Sequence, residues 1–257
     1  MRREYGEQRA AAVGVDPSER MIAVARGRWP EADFRMAGAY ELPLPDASAD
    51  GYRADKVFHE LTQPERALTE ALRVLAPGGR IVLVGQDWDT CVIDSDDPAL
   101  TRTLVHARAD LTVGPRAARR YRNLLLDACF QDVTVAVHTR VFTGPAMLPM
   151  LTGLADAACF AGAVDRVQAD GWTADQRARA EADRLFLAVP MFVAAATAPR
   201  RGRGRPTEAR PGAVVRRLPR ITRSPERRRA PSWRSWCGLR APHGRPRRRT
   251  GGGAGRS

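Results

Sequence analysis

The strongest constraint in the sequence is an apolar helical stripe that leads directly into a β-branched segment. Six residues repeat at intervals of three and four along one helix face: Pro64, Ala67, Leu68, Ala71, Leu72 and Leu75. Pro64 suits the first turn of a helix, and Gly78-Gly79 suits its end. The run from Arg80 to Gly85 that follows is typical of a strand buried on both faces. A helix followed by such a strand is the second half of a βαβ unit, which predicts a parallel sheet.

Other segments alternate between strand and helix in the same rhythm. Strands are predicted at 10–15, 32–36, 51–58, 80–85, 133–142 and 191–197. Helices are predicted at 21–29, 64–75, 98–112, 115–129, 145–162 and 173–188. The segment 42–46, Leu-Pro-Leu-Pro-Asp, reads as a turn. The sequence therefore predicts an α/β fold with a doubly wound, Rossmann-like sheet.

The positive charge of the chain is confined to its C-terminal part. Nineteen of the 42 basic residues but only two of the 29 acidic ones lie in 200–257, so residues 1–199 carry a net charge of −4. Residues 1–199 are predicted to form one domain. The Arg-, Pro- and Gly-rich tail at 200–257 shows no hydrophobic period and is expected to be disordered.

Two interpretations of this tail remain open. The arginine triplets 227–229 and 247–249, with Trp233 and Trp236 between them, could bind RNA through phosphate contacts and stacking. Alternatively the tail is an unselected extension left by a reading-frame change in a GC-rich gene. We favour the extension, because no folded nucleic-acid module accompanies the charge.

The sequence carries no sign of a metal site or of a membrane span. The four cysteines (Cys91, Cys129, Cys159 and Cys237) lie far apart, which favours reduced thiols in a cytosol. Residues 1–12 have no apolar core of a signal peptide. The longest apolar run, 185–199, contains Pro190 and is too short to span a bilayer. We therefore expect a cytoplasmic protein without a membrane span.

Ligands of open α/β sheets bind beyond the carboxyl ends of the strands, so the residues at those ends are the candidates for a site. Asp16 ends the first predicted strand. Its carboxylate could accept hydrogen bonds from both hydroxyls of a ribose. It could equally be a simple cap of the following helix, as could Ser18.

Three segments, in order, resemble class I S-adenosylmethionine-dependent methyltransferases. The first is Val13-Gly14-Val15-Asp16-Pro17-Ser18, followed by Met21, which is similar to the second strand of that family. The second is Ala37-Gly38-Ala39-Tyr40-Glu41-Leu42-Pro43-Leu44-Pro45-Asp46, which resembles the stretch beside the adenine. The third and most specific is Ala67-Leu68-x-Glu70-Ala71-x-Arg73-Val74-Leu75-x-Pro77-Gly78-Gly79-Arg80. The resemblance covers about residues 12 to 198, and within the family the motifs are most similar to the ubiquinone/menaquinone C-methyltransferase-like group.

The resemblance implies S-adenosylmethionine as cofactor, a small-molecule methyl acceptor and an antiparallel last strand. It places Asp16 at the ribose and the backbone of Gly38 and Ala39 at the adenine edge. By the same register Asp55 faces the cofactor pocket, although it could also be an ordinary exposed loop acid. In the family an acidic or amide side chain stands where this sequence has Gly38.

One departure from the family concerns its glycine-rich loop. The family has a G-x-G-x-G loop after a strand that should precede Val13, and only Gly6 precedes Gly14 here. That loop brings the backbone close to the methionine part of the cofactor at a helix N-terminus. The expected fold is therefore truncated at its N-terminus and lacks the first strand and this loop.

Candidates for catalysis lie after the fourth and fifth strands of the family's order. His59 and Glu60 follow the fourth strand, and Asp87-Trp88-Asp89 follow the fifth. Methyl transfer needs mainly alignment, with a general base if the acceptor must lose a proton. His59 and Asp87 are the named candidates for this role, and His59 could instead be structural.

Three hypotheses follow from the sequence. The first is methyl transfer from S-adenosylmethionine to an unidentified small molecule. The second is a non-catalytic methyltransferase remnant with the same fold, because the glycine loop is expected to be missing. The third is association with nucleic acid through the Arg-rich tail.

Overall fold

The computed structural model describes residues 12–200. The chain divides into two units, residues 1–222 and 223–257, and every described residue belongs to the first. The strands are β1 Val13–Asp16, β2 Asp33–Met36, β3 Ala49–Asp55, β4 Leu75–Gln86, β5 Val92–Ile93, β6 Gln131–Phe142 and β7 Leu187–Thr197. The helices are α1 Glu19–Arg28, α2 Pro64–Val74, α3 Pro98–Asp110, α4 Tyr121–Asp127, α5 Leu148–Phe160 and α6 Arg166–Glu181. Short 3-10 turns lie at 58–60, 88–90, 118–120 and 145–147.

The strands confirm the predicted α/β class. β1 pairs with β2 and β3 pairs with β4, both in parallel. β7 runs antiparallel to β4 along its other edge, and β5 and β6 pair antiparallel with β7. The last strand is therefore the antiparallel one, as the resemblance implies.

The predicted stripe on α2 covers the sheet at β4. Ala67, Leu68 and Ala71 are completely buried and pack with Ile81 and Leu83 of β4. The helix ends at Val74, before the predicted glycines. Gly78 instead adopts a φ of +81° in the irregular start of β4, a backbone conformation that glycine adopts without strain.

A second apolar cluster joins three helices to the other end of β7. α3, α5 and α6 bury Leu104, Leu151, Leu154 and Trp172 together with Leu187 of β7. The predicted helix at 173–188 has the wrong bounds, since α6 runs from Arg166 to Glu181. A capping box sets its start: the Asp165 side chain accepts from the Gln168 backbone, while the Gln168 side chain accepts from that of Asp165.

The predicted apolar face of α1 is only partly correct. Ile22 is buried, whereas Met21 and Trp29 are exposed. The reason is the narrow surface that α1 can cover, because among the described residues its sheet consists of β1 and β2 alone. β5 was not predicted, since a two-residue strand leaves no period in the sequence.

Residues 12–200 contain no helix long and apolar enough to cross a membrane. Residues 1–11, where a first strand and glycine loop would have to begin, lie outside the described residues, so their absence from the fold stays a prediction. The tail beyond Arg200 also lies outside the described residues, and its predicted disorder is untested.

Candidate functional site

The parallel strands β3 and β4 bring two polar segments to the same edge of the sheet. β3 ends at Asp55 and leads into the 3-10 turn at 58–60, and β4 ends at Gln86 and leads into the 3-10 turn at 88–90. His59 lies in the first turn and Trp88 in the second. Their rings meet edge to face, with 5.9 Å between centroids. The two sequence-predicted segments therefore form one cluster.

His59 is the most unusual side chain of this cluster, because it is buried without satisfying both ring nitrogens. Its residue is 2% exposed, and the Glu60 carboxylate lies 3.3 Å from Nε2. Within the described residues, Nδ1 has no hydrogen-bond partner. A carboxylate beside Nε2 favours the proton on that nitrogen, which leaves a lone pair on Nδ1. The arrangement suits a proton acceptor.

A turn at 111–117 closes over both 3-10 turns. The Gly114 N–H donates to the His59 carbonyl at 2.9 Å, and the Trp88 N–H donates to the Pro115 carbonyl at 3.0 Å. A Cβ on Gly114 would lie 3.4 Å from the Phe58 carbonyl oxygen, an ordinary van der Waals distance, so the turn packs directly against the 58–60 backbone. The turn thus fixes the backbone that carries His59 and Trp88.

Asp87 is fully buried and strongly engaged. Its carboxylate accepts hydrogen bonds from Nε and Nη2 of Arg119, the latter at 2.9 Å, and from the Asp89 N–H at 3.0 Å. The pKa of Arg119 is raised by this hydrogen bonding. The neighbouring Asp89 carboxylate binds Arg116 at 2.5 Å. These contacts fit a residue that holds the chain after β4 in place.

The predicted cofactor residues Asp16, Gly38 and Ala39 lie together at the ends of β1 and β2. The Ala37 N–H donates to the Asp16 carbonyl at 3.3 Å, which joins the two strand ends. The Ser18 N–H donates to Asp16 Oδ1 at 2.8 Å, and the Ser18 hydroxyl caps α1 at the Met21 N–H. Of the two cap residues considered from the sequence, Ser18 is therefore the N-cap.

Gly38 faces open space within residues 12–200, since a Cβ placed on it would meet none of their atoms within 4 Å. Ala39 is partly buried and packs against the core cluster under α2. Asp55 is at the end of β3, where its carboxylate pairs with Arg53 at 2.8 Å and Lys56 at 3.1 Å. The Asp55 carboxylate is therefore paired with two cations at the exposed end of β3.

A hydrogen-bonded network anchors the segment after Gly38 to α2. Glu70 accepts from the Leu42 N–H at 2.6 Å and binds Arg73 at 2.7 Å. Arg73 in turn donates to the carbonyls of Leu42 and Leu44 and to Asp46. These hydrogen bonds to Arg73 hold the pKa of the Glu70 carboxyl below its usual range. The network gives the Glu and Arg of the helix motif a structural role, since they hold the 42–46 segment against α2.

Sequence reasoning missed the arginines of this edge. Arg108, at the end of α3, lies over the Trp88 ring at 4.6 Å from the centroid, and Arg119 binds Asp87. Both come from segments well beyond β4 with ordinary helical composition, so no local pattern marks them. Only the packing of α3 and of the 118–120 turn against the end of β4 reveals them.

Comparison with known proteins shows what the chain is similar to. Residues 1–83 match the family model described as a methyltransferase domain. A 37.1 kDa protein of a Streptomyces fradiae transposon is 33% identical over 193 residues, which are 72% of this chain and 55% of that protein. The demethylmenaquinone methyltransferase of Thermus thermophilus is 40% identical over 79 residues, 29% of this chain and 36% of the relative. The YcgJ protein of Bacillus subtilis aligns in structure with a TM-score of 0.47 at 16% identity, over 74% of this chain and 82% of that one.

Residues 1–83 thus carry a methyltransferase domain, and the chain is similar to S-adenosylmethionine-dependent methyltransferases. Its relatives include ubiquinone/menaquinone C-methyltransferases, such as one from Methylobacterium nodulans that is 34% identical over 113 residues, 42% of this chain and 45% of the relative. The cofactor of this family is S-adenosylmethionine. The chain spans about half the length, or less, of these curated relatives.

Proposed function

We propose that this protein transfers a methyl group from S-adenosylmethionine to a small-molecule acceptor at the edge formed by the carboxyl ends of its parallel strands. The observation that carries the proposal is His59, a buried imidazole whose Nδ1 has no partner within the described residues. An unpartnered buried nitrogen is unfavourable for folding alone. A functional role in proton transfer accounts for its presence at this edge.

The residues at the ends of β1 and β2 fit the ribose and adenine of the cofactor. Asp16 is oriented by the Ser18 N–H and lies at the carboxyl end of β1, where it can accept from ribose hydroxyls. No atom of the described residues lies within 4 Å of a Cβ placed on Gly38, which leaves its backbone open to an approaching ring. Asp16, Gly38 and Ala39 are thus proposed to hold this half of the cofactor. Asp55, at the end of β3, is proposed to line the cofactor site beside them.

S-adenosylmethionine, when bound, supplies an electrophilic methyl group. What remains for the protein is to align the acceptor, exclude water and remove a proton. We assign proton removal to His59 Nδ1, with Glu60 beside Nε2 to stabilise the imidazolium that forms. Trp88 forms one wall of the site, where its ring packs edge to face with the His59 ring.

Asp87 takes a different role from His59. Its carboxylate is occupied by Arg119 and the Asp89 N–H, so it is poorly placed to accept a further proton from a substrate. We propose that it positions the turn that carries Trp88. The second catalytic candidate from the sequence is thereby proposed as a positioning residue.

Titration calorimetry of the full chain with S-adenosylhomocysteine tests the cofactor half. We expect saturable binding that Asp16→Asn weakens about five- to tenfold, because a charged acceptor of two hydroxyls is replaced by a neutral one. The matched control is Asp33→Asn, at the opposite end of the β1–β2 sheet, which should leave the affinity unchanged. Absence of heat at millimolar ligand would rule out the enzyme and favour a non-catalytic remnant.

A further inference from the structure

Arg108 stands apart from the other arginines that are partly shielded from water. Four arginines in residues 12–200 have intermediate burial: Arg35, Arg73, Arg108 and Arg179. All of them except Arg108 bind a carboxylate directly. The guanidinium of Arg108 has no carboxylate within ion-pair distance in this part of the chain, and its one hydrogen bond is from Nη1 to the Thr112 hydroxyl at 2.8 Å.

The position of Arg108 is nevertheless fixed. Its guanidinium stacks over the Trp88 indole, 4.6 Å from the ring centroid, in cation–π geometry. Thr112, one turn further along the chain, holds Nη1. Burial lowers the pKa of Arg108, while the nearby Glu60 charge raises it. A guanidinium has five donors, so most of the donor capacity of Arg108 remains for a ligand.

The groups around Arg108 add unsatisfied polar atoms to the same edge. Trp88 is 1% exposed, and its Nε1 has no partner within the described residues. His59 Nδ1 and the Gln86 side-chain oxygen share this condition. The Trp88 Nε1–H is a donor only, and Arg108 is a cation with donors only. These two groups therefore match an acceptor of hydrogen bonds that carries negative charge.

We propose that Arg108 and Trp88 form a specificity subsite that binds a carboxylate group of the methyl acceptor. The proposal rests on the methyltransferase function proposed above. The proposal restricts the class of methyl acceptor to acids and excludes neutral and cationic molecules. Arg108 would bind the anion through its unused N–H groups, and His59, which also contacts the Trp88 ring, would face the atom that receives the methyl group.

Pairs of small probes that differ only in charge test the subsite. Ligand-observed NMR with the full chain would compare benzoate with benzamide and acetate with acetamide, each with and without saturating S-adenosylhomocysteine. For at least one pair we expect the anion to bind about tenfold more tightly than the amide. Arg108→Gln should reduce that ratio to about one, since it removes the charge while keeping a polar side chain.

Two controls keep the result interpretable. Arg102→Gln, an exposed arginine on the same helix, should preserve the ratio. Thermal unfolding should show that Arg108→Gln remains folded, and Arg108→Lys, which keeps the charge, should retain part of the preference if the first variant is unstable. A ratio below two for both probe pairs, or a ratio that survives Arg108→Gln, would overturn the proposal.

The titration with S-adenosylhomocysteine separates this inference from the proposed function. If the wild-type chain binds no S-adenosylhomocysteine, the methyltransferase proposal fails, yet the probe ratio without cofactor can still be measured. If S-adenosylhomocysteine binds equally to wild type and Arg108→Gln while the probe ratio is unchanged, the anion subsite fails and the proposed function stands.

Discussion

The contact between Arg119 and Asp87 offers the sharpest test of how the catalytic edge is held together. Arg119→Met removes both guanidinium hydrogen bonds from the Asp87 carboxylate and leaves it the Asp89 N–H alone. Asp87 is fully buried, so water reaches its carboxylate only if the surrounding structure opens. The substitution keeps most of the apolar stem of the arginine, so its main effect is electrostatic.

The expected magnitude follows from the burial of the two partners. Removing one partner of a fully buried ion pair destabilises a protein by about 3–5 kcal/mol. The Arg119 side chain is 44% exposed, so water can solvate part of the vacated region and reduce this loss. We therefore expect a loss of about 2–3 kcal/mol in the free energy of unfolding. For a domain of this size that corresponds to a fall of about 5–10 °C in Tm.

Urea unfolding of the full chain, followed by circular dichroism, measures this loss. Arg116→Met is the matched control, because its partner Asp89 is less buried and the loss should be about 1 kcal/mol or less. Asp87→Asn on the Arg119→Met background should recover at least about 1 kcal/mol, since it removes the buried charge. Equal losses for Arg119→Met and Arg116→Met, or no recovery in the double variant, would refute the reasoning.

Two further substitutions use the space around particular glycines. Gly38→Asp should tighten S-adenosylhomocysteine binding about three- to tenfold in calorimetry, because it supplies a side-chain acceptor in open space. The control Gly27→Asp, which is equally open but lies on α1, should leave the affinity unchanged. Equal affinities of Gly38→Asp and the wild type would argue against an adenine edge at Gly38. Gly85→Ala should lower the free energy of unfolding by about 1–3 kcal/mol, because its Cβ would clash with the Tyr121 hydroxyl oxygen. Tyr121→Phe on the Gly85→Ala background should recover part of that stability, and the control Gly144→Ala should cause no loss. If Tyr121→Phe recovers nothing, the contact with the hydroxyl is not the cause of the loss.

The parts of the fold that sequence predicted well are those in which one local period coincides with one buried face. The α2 stripe and the β-branched run of β4 are such cases, because both pack in the centre of the same cluster. The predicted bounds of α6 were wrong because its apolar period is weak. The Asp165 and Gln168 capping box was nonetheless readable and would have placed its start correctly.

The candidate site also contains residues that the sequence could predict and residues that it could not. His59 and Trp88 could be chosen from sequence because each follows a predicted strand, and the carboxyl ends of parallel strands share an edge. Arg108 and Arg119 could not, because their approach to that edge depends on tertiary packing over a separation of 20 to 32 residues. The hydrogen bonds of Asp87 were likewise hidden, since only the tertiary contact with Arg119 shows that the carboxylate is occupied.

The two arginines separate stability from recognition at one edge of the sheet. Arg119 meets a carboxylate that the chain itself supplies, so its removal should lower stability while S-adenosylhomocysteine binding persists in the folded fraction. Arg108 meets an aromatic ring and a hydroxyl but no carboxylate within the described residues, so its removal should change ligand preference with little loss of stability. A cation without a direct ion pair, beside a buried Trp88 Nε1 that has no partner within residues 12–200, is better explained by a ligand than by packing. Measuring unfolding and anion preference for both variants would therefore show whether the charges at this edge serve the fold, the ligand or both.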